Sequence, residues 1–144
     1  MTPQHVETLR ATWQKVLPIG DTAARLFYNR LFEIDPAAEQ LFAGTDMALQ
    51  RQKLLQTLNA AIGGLDNLEG LAPVLQDLGR RHADYGVSDS HYDSVGAALL
   101  WALEQGLGDD WTPEAKEAWT TAYGLIAETM RAAADQQAAR ASAQ

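Results

Sequence analysis

Apolar side chains in this chain recur every three or four residues, and no stretch alternates apolar with polar long enough to make a convincing strand. That period commits the chain to helices packed on helices. Val6, Leu9, Trp13 and Val16 follow at spacings of 3, 4 and 3 behind Thr2-Pro3, a threonine cap followed by a proline that tolerates the first helical position. Leu17 to Gly20 interrupts the stripe, and Asp21 is expected to cap a second helix with Ala24, Phe27, Tyr28 and Leu31 inward. Asp35-Pro36 turns the chain sharply before a short segment from Ala37 to Phe42. A longer helix is expected from Met47 to Ile62, carrying Gln50, Leu54, Leu58 and Ile62 on one side and closed by Gly63-Gly64. The turn-rich LDNLEG then precedes a shorter helix with Leu71, Leu75, Leu78 and His82 on its apolar face, ended by Gly86. Tyr92, Val95, Leu99 and Leu103 mark another, and Thr112-Pro113 opens the last, on Trp119, Tyr123, Ile126 and Met130.

The expected product is one all-α domain of six to eight helices over residues 1–144. Residues 131–144 hold seven alanines and no large apolar side chain, so this tail is expected to fray. The 11 basic and 19 acidic residues leave a net charge of −8, which repels nucleic acid and anionic lipid. Zero cysteines remove disulfides, thiolate metal sites and cysteine nucleophiles. The N-terminus lacks a basic region followed by an apolar stretch, and no run is long enough to span a bilayer, so a cytoplasmic location is the expectation.

Few constellations of catalytic residues survive a search. Gly63, Gly64 and Gly70 follow a helix and miss both the dinucleotide and the P-loop spacings. Asp89, Ser90 and His91 are adjacent at a helix start, point in different directions and lack a nucleophile elbow. Attention falls on the histidines. His5 and His91 are expected to face solvent. His82 continues a leucine stripe, where its imidazole needs partners: it is either a hydrogen-bonded core residue or a ligand to a metal. Gln50 and Tyr28 also carry polar groups onto inner faces, at a cost of about 1–3 kcal/mol each if left unsatisfied. Each satisfies a backbone group, or a cofactor lies between the helices.

The strings LFYNRLFEIDPAAEQLF, QRQKLLQTL, DNLEGLAPVLQDLGRRHADYGV and HYDSVGAALLWALEQGLG resemble the globins, most nearly bacterial single-domain globins related to the haem domain of flavohaemoglobins. The resemblance covers roughly residues 3–130 and implies a globin fold around one haem b. It makes His82 the proximal iron ligand and Phe42 the corner phenylalanine on the haem. It places Tyr28, Gln50 and Leu54 on the distal side, Lys53 and Arg81 near the haem propionates, and Val87 and Val95 against the porphyrin. Tyr92 looks like the tyrosine that buttresses the proximal histidine, but the position expected to hold its glutamate partner reads Ala134, with Asp135 beside it.

The resemblance implies reversible binding of dioxygen, and also of carbon monoxide and nitric oxide. Nitric oxide dioxygenation is the enzymatic alternative, and since 144 residues leave no room for flavin and nicotinamide domains it would draw on an external reductase. Haem-based sensing is a minor third class. Trp101 and Trp111 lie off the main stripes and are candidates for a dimer surface, with monomer and homodimer both open.

Overall fold

The computed structural model describes the backbone of residues 1–143 and the side chains of residues 1–139. Within it the chain forms α1 (Pro3–Val16), α2 (Gly20–Ile34), α3 (Pro36–Glu39), α4 (Met47–Gly63), α5 (Leu68–Asp84), α6 (Asp89–Leu107) and α7 (Pro113–Ala143). No strand occurs among the described residues, and none of their helices is long and apolar enough to cross a membrane.

Local chemistry explains the ends of these helices. Thr2 caps α1 by accepting from the His5 amide at 3.1 Å, and the His5 ring accepts from the Thr2 amide in return. Ser88 and His91 repeat that box at the head of α6. Both histidines were expected to face solvent; instead they close helix termini, with side chains only 19% and 18% exposed. Asp21 likewise departs from its expected role as a cap. A 3-10 turn at Leu17–Ile19 feeds α1 directly into α2, which starts at Gly20 without any side-chain cap. The Asp21 carboxylate is thereby left to pair elsewhere. α5 begins earlier than its apolar stripe indicated, because the Asn67 side chain accepts from the Gly70 amide at 3.2 Å and draws Leu68–Gly70 into the first turn. Gly86, at φ +91°, then ends the connection in a conformation that disfavours a β-carbon.

α7 packs along both α5 and α1, while α6 packs along α2. Two glycines permit the close approaches. A β-carbon on Gly79 would collide with the Met130 carbonyl oxygen, so α5 rests backbone to backbone on α7. One on Gly96 would meet the Tyr123 ring at 2.7 Å. Thr12, buried on α1, donates to the Thr8 carbonyl at 2.8 Å and accepts from the Trp119 indole at 2.9 Å, so its hydroxyl is satisfied on both sides. The segment from residue 131 continues α7: Ala133 is buried, and Gln137 donates to Asp84 at 2.9 Å. Gln144 lies outside the described residues. Trp101 and Trp111 are half-buried and pack against the core, with the Arg30 guanidinium 5.1 Å above the Trp101 ring.

Candidate functional site

α4 and α5 follow one another in sequence, yet each takes its main packing from other helices: α4 from α1 and α2, α5 from α7. A cavity of about 270 Å³ lies between them, lined by Thr57, Ala60 and Ala61 of α4 and by Leu75, Leu78 and Arg81 of α5. Gln50 on α4 and His82 on α5 lie outside the lining of this cavity, as does Tyr28 on α2.

Tyr28 on α2 is 5% exposed, and Gln50 on α4 is half-buried. The Gln50 amide donates to the Tyr28 hydroxyl oxygen at 3.2 Å. Since Gln50 is the donor, the hydroxyl hydrogen of Tyr28 has no acceptor among the described residues. Burial raises the Tyr28 pKa above its ordinary value, more than the Gln50 bond lowers it, so the phenol stays a neutral donor at physiological pH. Phe42, at the end of the proline corner, packs edge-on to Tyr28 with ring centroids 5.5 Å apart. Leu54, Val87 and Val95 are half-buried against the same core.

On α5, the His82 Nδ1 lies 2.7 Å from the Leu78 carbonyl oxygen. A carbonyl can only accept, so Nδ1 carries a proton, and in the neutral ring Nε2 keeps its lone pair. A nitrogen of this kind can ligate a metal, and the Leu78 bond already sets the ring orientation. Tyr92, in the first turn of α6, is buried, and its hydroxyl has no partner among the described residues. The Arg131 guanidinium stacks 4.9 Å from the Tyr92 ring, and the Tyr123 hydroxyl donates to the Tyr92 carbonyl. Desolvation raises the Tyr92 pKa; Arg131 opposes this, while Asp89 and Asp135 add to it. Lys53 is exposed, and Arg81 is exposed and paired with Asp77 at 2.6 Å.

One feature escaped the sequence reading. The Arg51 Nε donates to one oxygen of Asp21 at 2.8 Å, and the Arg25 Nε donates to the other at 2.9 Å. Arg51 chiefly holds the Asp21 carboxyl below its ordinary pKa. The pair joins α4 to α2 beside Gln50, and nothing local in the sequence signals a partner thirty residues away.

The model of the family described as Globin matches residues 25–130 of this chain. The chain belongs to the globin family. It is 34% identical over 125 residues to a flavohaemoprotein from Bacillus subtilis (strain 168), covering 85% of this chain and 31% of that protein. It thus spans about a third of the length of that relative. It is 31% identical over 130 residues to an anaerobic nitrite reductase from Oryza sativa subsp. indica, covering 87% of this globin and 90% of the relative. Among solved structures, it is similar to an engineered carbene transferase derived from a provisionally assigned nitric oxide dioxygenase of Rhodothermus marinus. That match has a TM-score of 0.87 and 26% identity, and covers 99% of each chain.

Proposed function

We propose that this globin holds a haem, of the b type, between α4 and α5 and binds dioxygen reversibly. The residues fit the group on their own chemistry. His82 has one nitrogen committed to the Leu78 carbonyl and the other available to a metal, which is the donor that axial ligation of haem iron requires. Leu54, Val87 and Val95 offer apolar, half-buried surface to a porphyrin. Lys53 and Arg81 are the cations available to its propionates. When bound, the haem supplies the iron at which a diatomic gas is held.

The observation that carries the gas-binding reading is the Tyr28–Gln50 pair. Tyr28 keeps a free hydroxyl hydrogen in a buried setting, and Gln50 keeps a second amide hydrogen beyond the one it gives to Tyr28. Two donors held 3.2 Å apart would favour a guest carrying partial negative charge, as dioxygen would carry if a ferrous haem held it. Carbon monoxide, less polar when bound, gains less from the same donors. Glutamine at position 50 also keeps an imidazole out of that space.

Replacing Tyr28 by Phe removes the hydroxyl and keeps the ring packing on Phe42. Loss of a hydrogen bond to a charged acceptor, about 1.5–3 kcal/mol, should speed dioxygen release by roughly 10- to 150-fold. Stopped-flow displacement of dioxygen by carbon monoxide measures it, and an unchanged release rate contradicts the distal assignment.

The flavohaemoprotein relative and the Rhodothermus marinus neighbour support a second reading, nitric oxide dioxygenation. There nitric oxide, dioxygen and one electron yield nitrate, and a separate reductase supplies the electron. Sustained nitrate formation with a ferredoxin- or flavin-type reductase would favour this reading; a single stoichiometric burst would favour dioxygen binding alone.

A further inference from the structure

The gap-facing part of α4 is weakly packed. None of its residues from Met47 to Ala60 is buried, and its two buried positions, Ala61 and Ile62, lie at the far end. Met47, Leu54, Leu55 and Leu58 are half-buried against the core, and a short set of ties adds to them. The Trp13 indole donates to Asn59 at 2.9 Å, Leu55 rests over Gly20, Gln50 donates to Tyr28 at 3.2 Å, and Arg51 donates to Asp21 at 2.8 Å. The Trp13 tie acts nine residues beyond Gln50, so near the distal donors the Arg51 contact is the one charged tether among the described residues.

Its geometry couples it to the distal pair. Arg51 follows Gln50 directly, so a shift of α4 that lengthens one bond moves the other. Asp21 and Tyr28 are seven residues apart, two helical turns or about 10 Å along the same side of α2. Arg51 is 17% exposed and always charged, so its guanidinium needs an acceptor, which Asp21, itself 59% exposed, supplies. Arg25, one turn along α2, donates to the second Asp21 oxygen within the same helix and so adds no tie to α4.

We propose that Asp21 and Arg51 form a latch between α2 and α4 that sets how closely Gln50 and Tyr28 converge on a gas in the pocket. They are positioning residues and touch no ligand themselves. This inference rests on the distal pocket proposed above and adds the element that tunes it. Breaking the latch lets the N-terminal half of α4 drift from α2, weakening the donor pair while leaving both of its side chains in place.

The test uses the haem-loaded protein, with the infrared C–O stretch of its carbon monoxide complex reporting polarity around the gas and with dioxygen release measured in parallel. Asp21→Asn and Arg51→Gln are expected to move the stretch in the same direction as Tyr28→Phe and to speed release about threefold. Arg51→Lys, which keeps the charge, should recover most of both effects, and Arg25→Gln should match the parent. A purely structural tie would lower thermal stability without moving the stretch. The latch is overturned if Asp21→Asn and Arg51→Gln keep the parent stretch and rate while Tyr28→Phe changes both, or if Arg25→Gln changes them equally. If Tyr28→Phe itself changes neither, the distal pocket falls, and the latch falls with it.

Discussion

Tyr92 carries a hydroxyl that is buried and unpaired among the described residues, so in the haem-free protein that oxygen and its hydrogen are a net cost. Tyr92→Phe removes the cost and keeps the ring under Arg131, and should therefore leave the haem-free protein as stable as the parent or about 1 kcal/mol more stable by urea unfolding. A loss of 2 kcal/mol or more would show that the hydroxyl has a partner. At this scale the sequence was partly legible. His82 stood out because it continues a leucine stripe, and Tyr28 and Gln50 because polar groups on inner faces need a reason. His5 and His91 were misjudged, since an imidazole that accepts from a cap amide three residues back leaves no hydrophobic signature. Asp21 was misjudged for a related reason: a carboxylate beside a proline-glycine break looks like a cap, and the arginine that claims it lies on another helix.

Among elements, the contact between α5 and α7 governs where His82 sits, and Gly79 makes that contact possible. A methyl group there would meet the Met130 backbone, which cannot rotate away as a side chain could. Gly79→Ala should cost about 1–3 kcal/mol of stability despite the higher helix propensity of alanine, because overpacking outweighs the roughly 1 kcal/mol gained from propensity. Chemical unfolding checks this, and an unchanged or raised midpoint would mean that the helices are not held at this separation. Periodicity placed most of the helices and their inner faces, since it depends only on neighbouring residues. Which helices touch was not visible, because Gly79 and Gly96 look unremarkable until the residues they face, Met130 and Tyr123, are known. The early start of α5 was hidden by Asn67, whose capping bond draws turn-forming residues into a helix.

Over the whole molecule, Tyr28, Tyr92 and Tyr123 all have pKa values raised above the ordinary tyrosine value, in each case chiefly by burial. A phenol harder to ionise in the folded state than in the unfolded one contributes stability that is complete below about pH 10 and is lost as pH rises toward its folded value. Stability should therefore be insensitive to these groups at neutral pH and decline above about pH 10. Tyrosinate absorbance at these positions should appear together with the loss of helical circular dichroism; tyrosinate that appears first, with the helices intact, would contradict the burial of these rings. The overall architecture was legible because the proline corner, the glutamine-bearing helix and the histidine that ends a leucine stripe occur in one order, and the family match over residues 25–130 agrees with it. The central claim, a haem on His82 with an open distal side, is tested most directly by absorption spectra of the purified, haemin-supplemented protein. Ferric, dithionite-reduced and carbon-monoxide-treated samples would be measured beside the same set for His82→Ala. The account predicts an intense Soret band that shifts with carbon monoxide and is lost or altered in the variant. A folded protein that refuses haemin, or a variant with the parent's spectra, would contradict it.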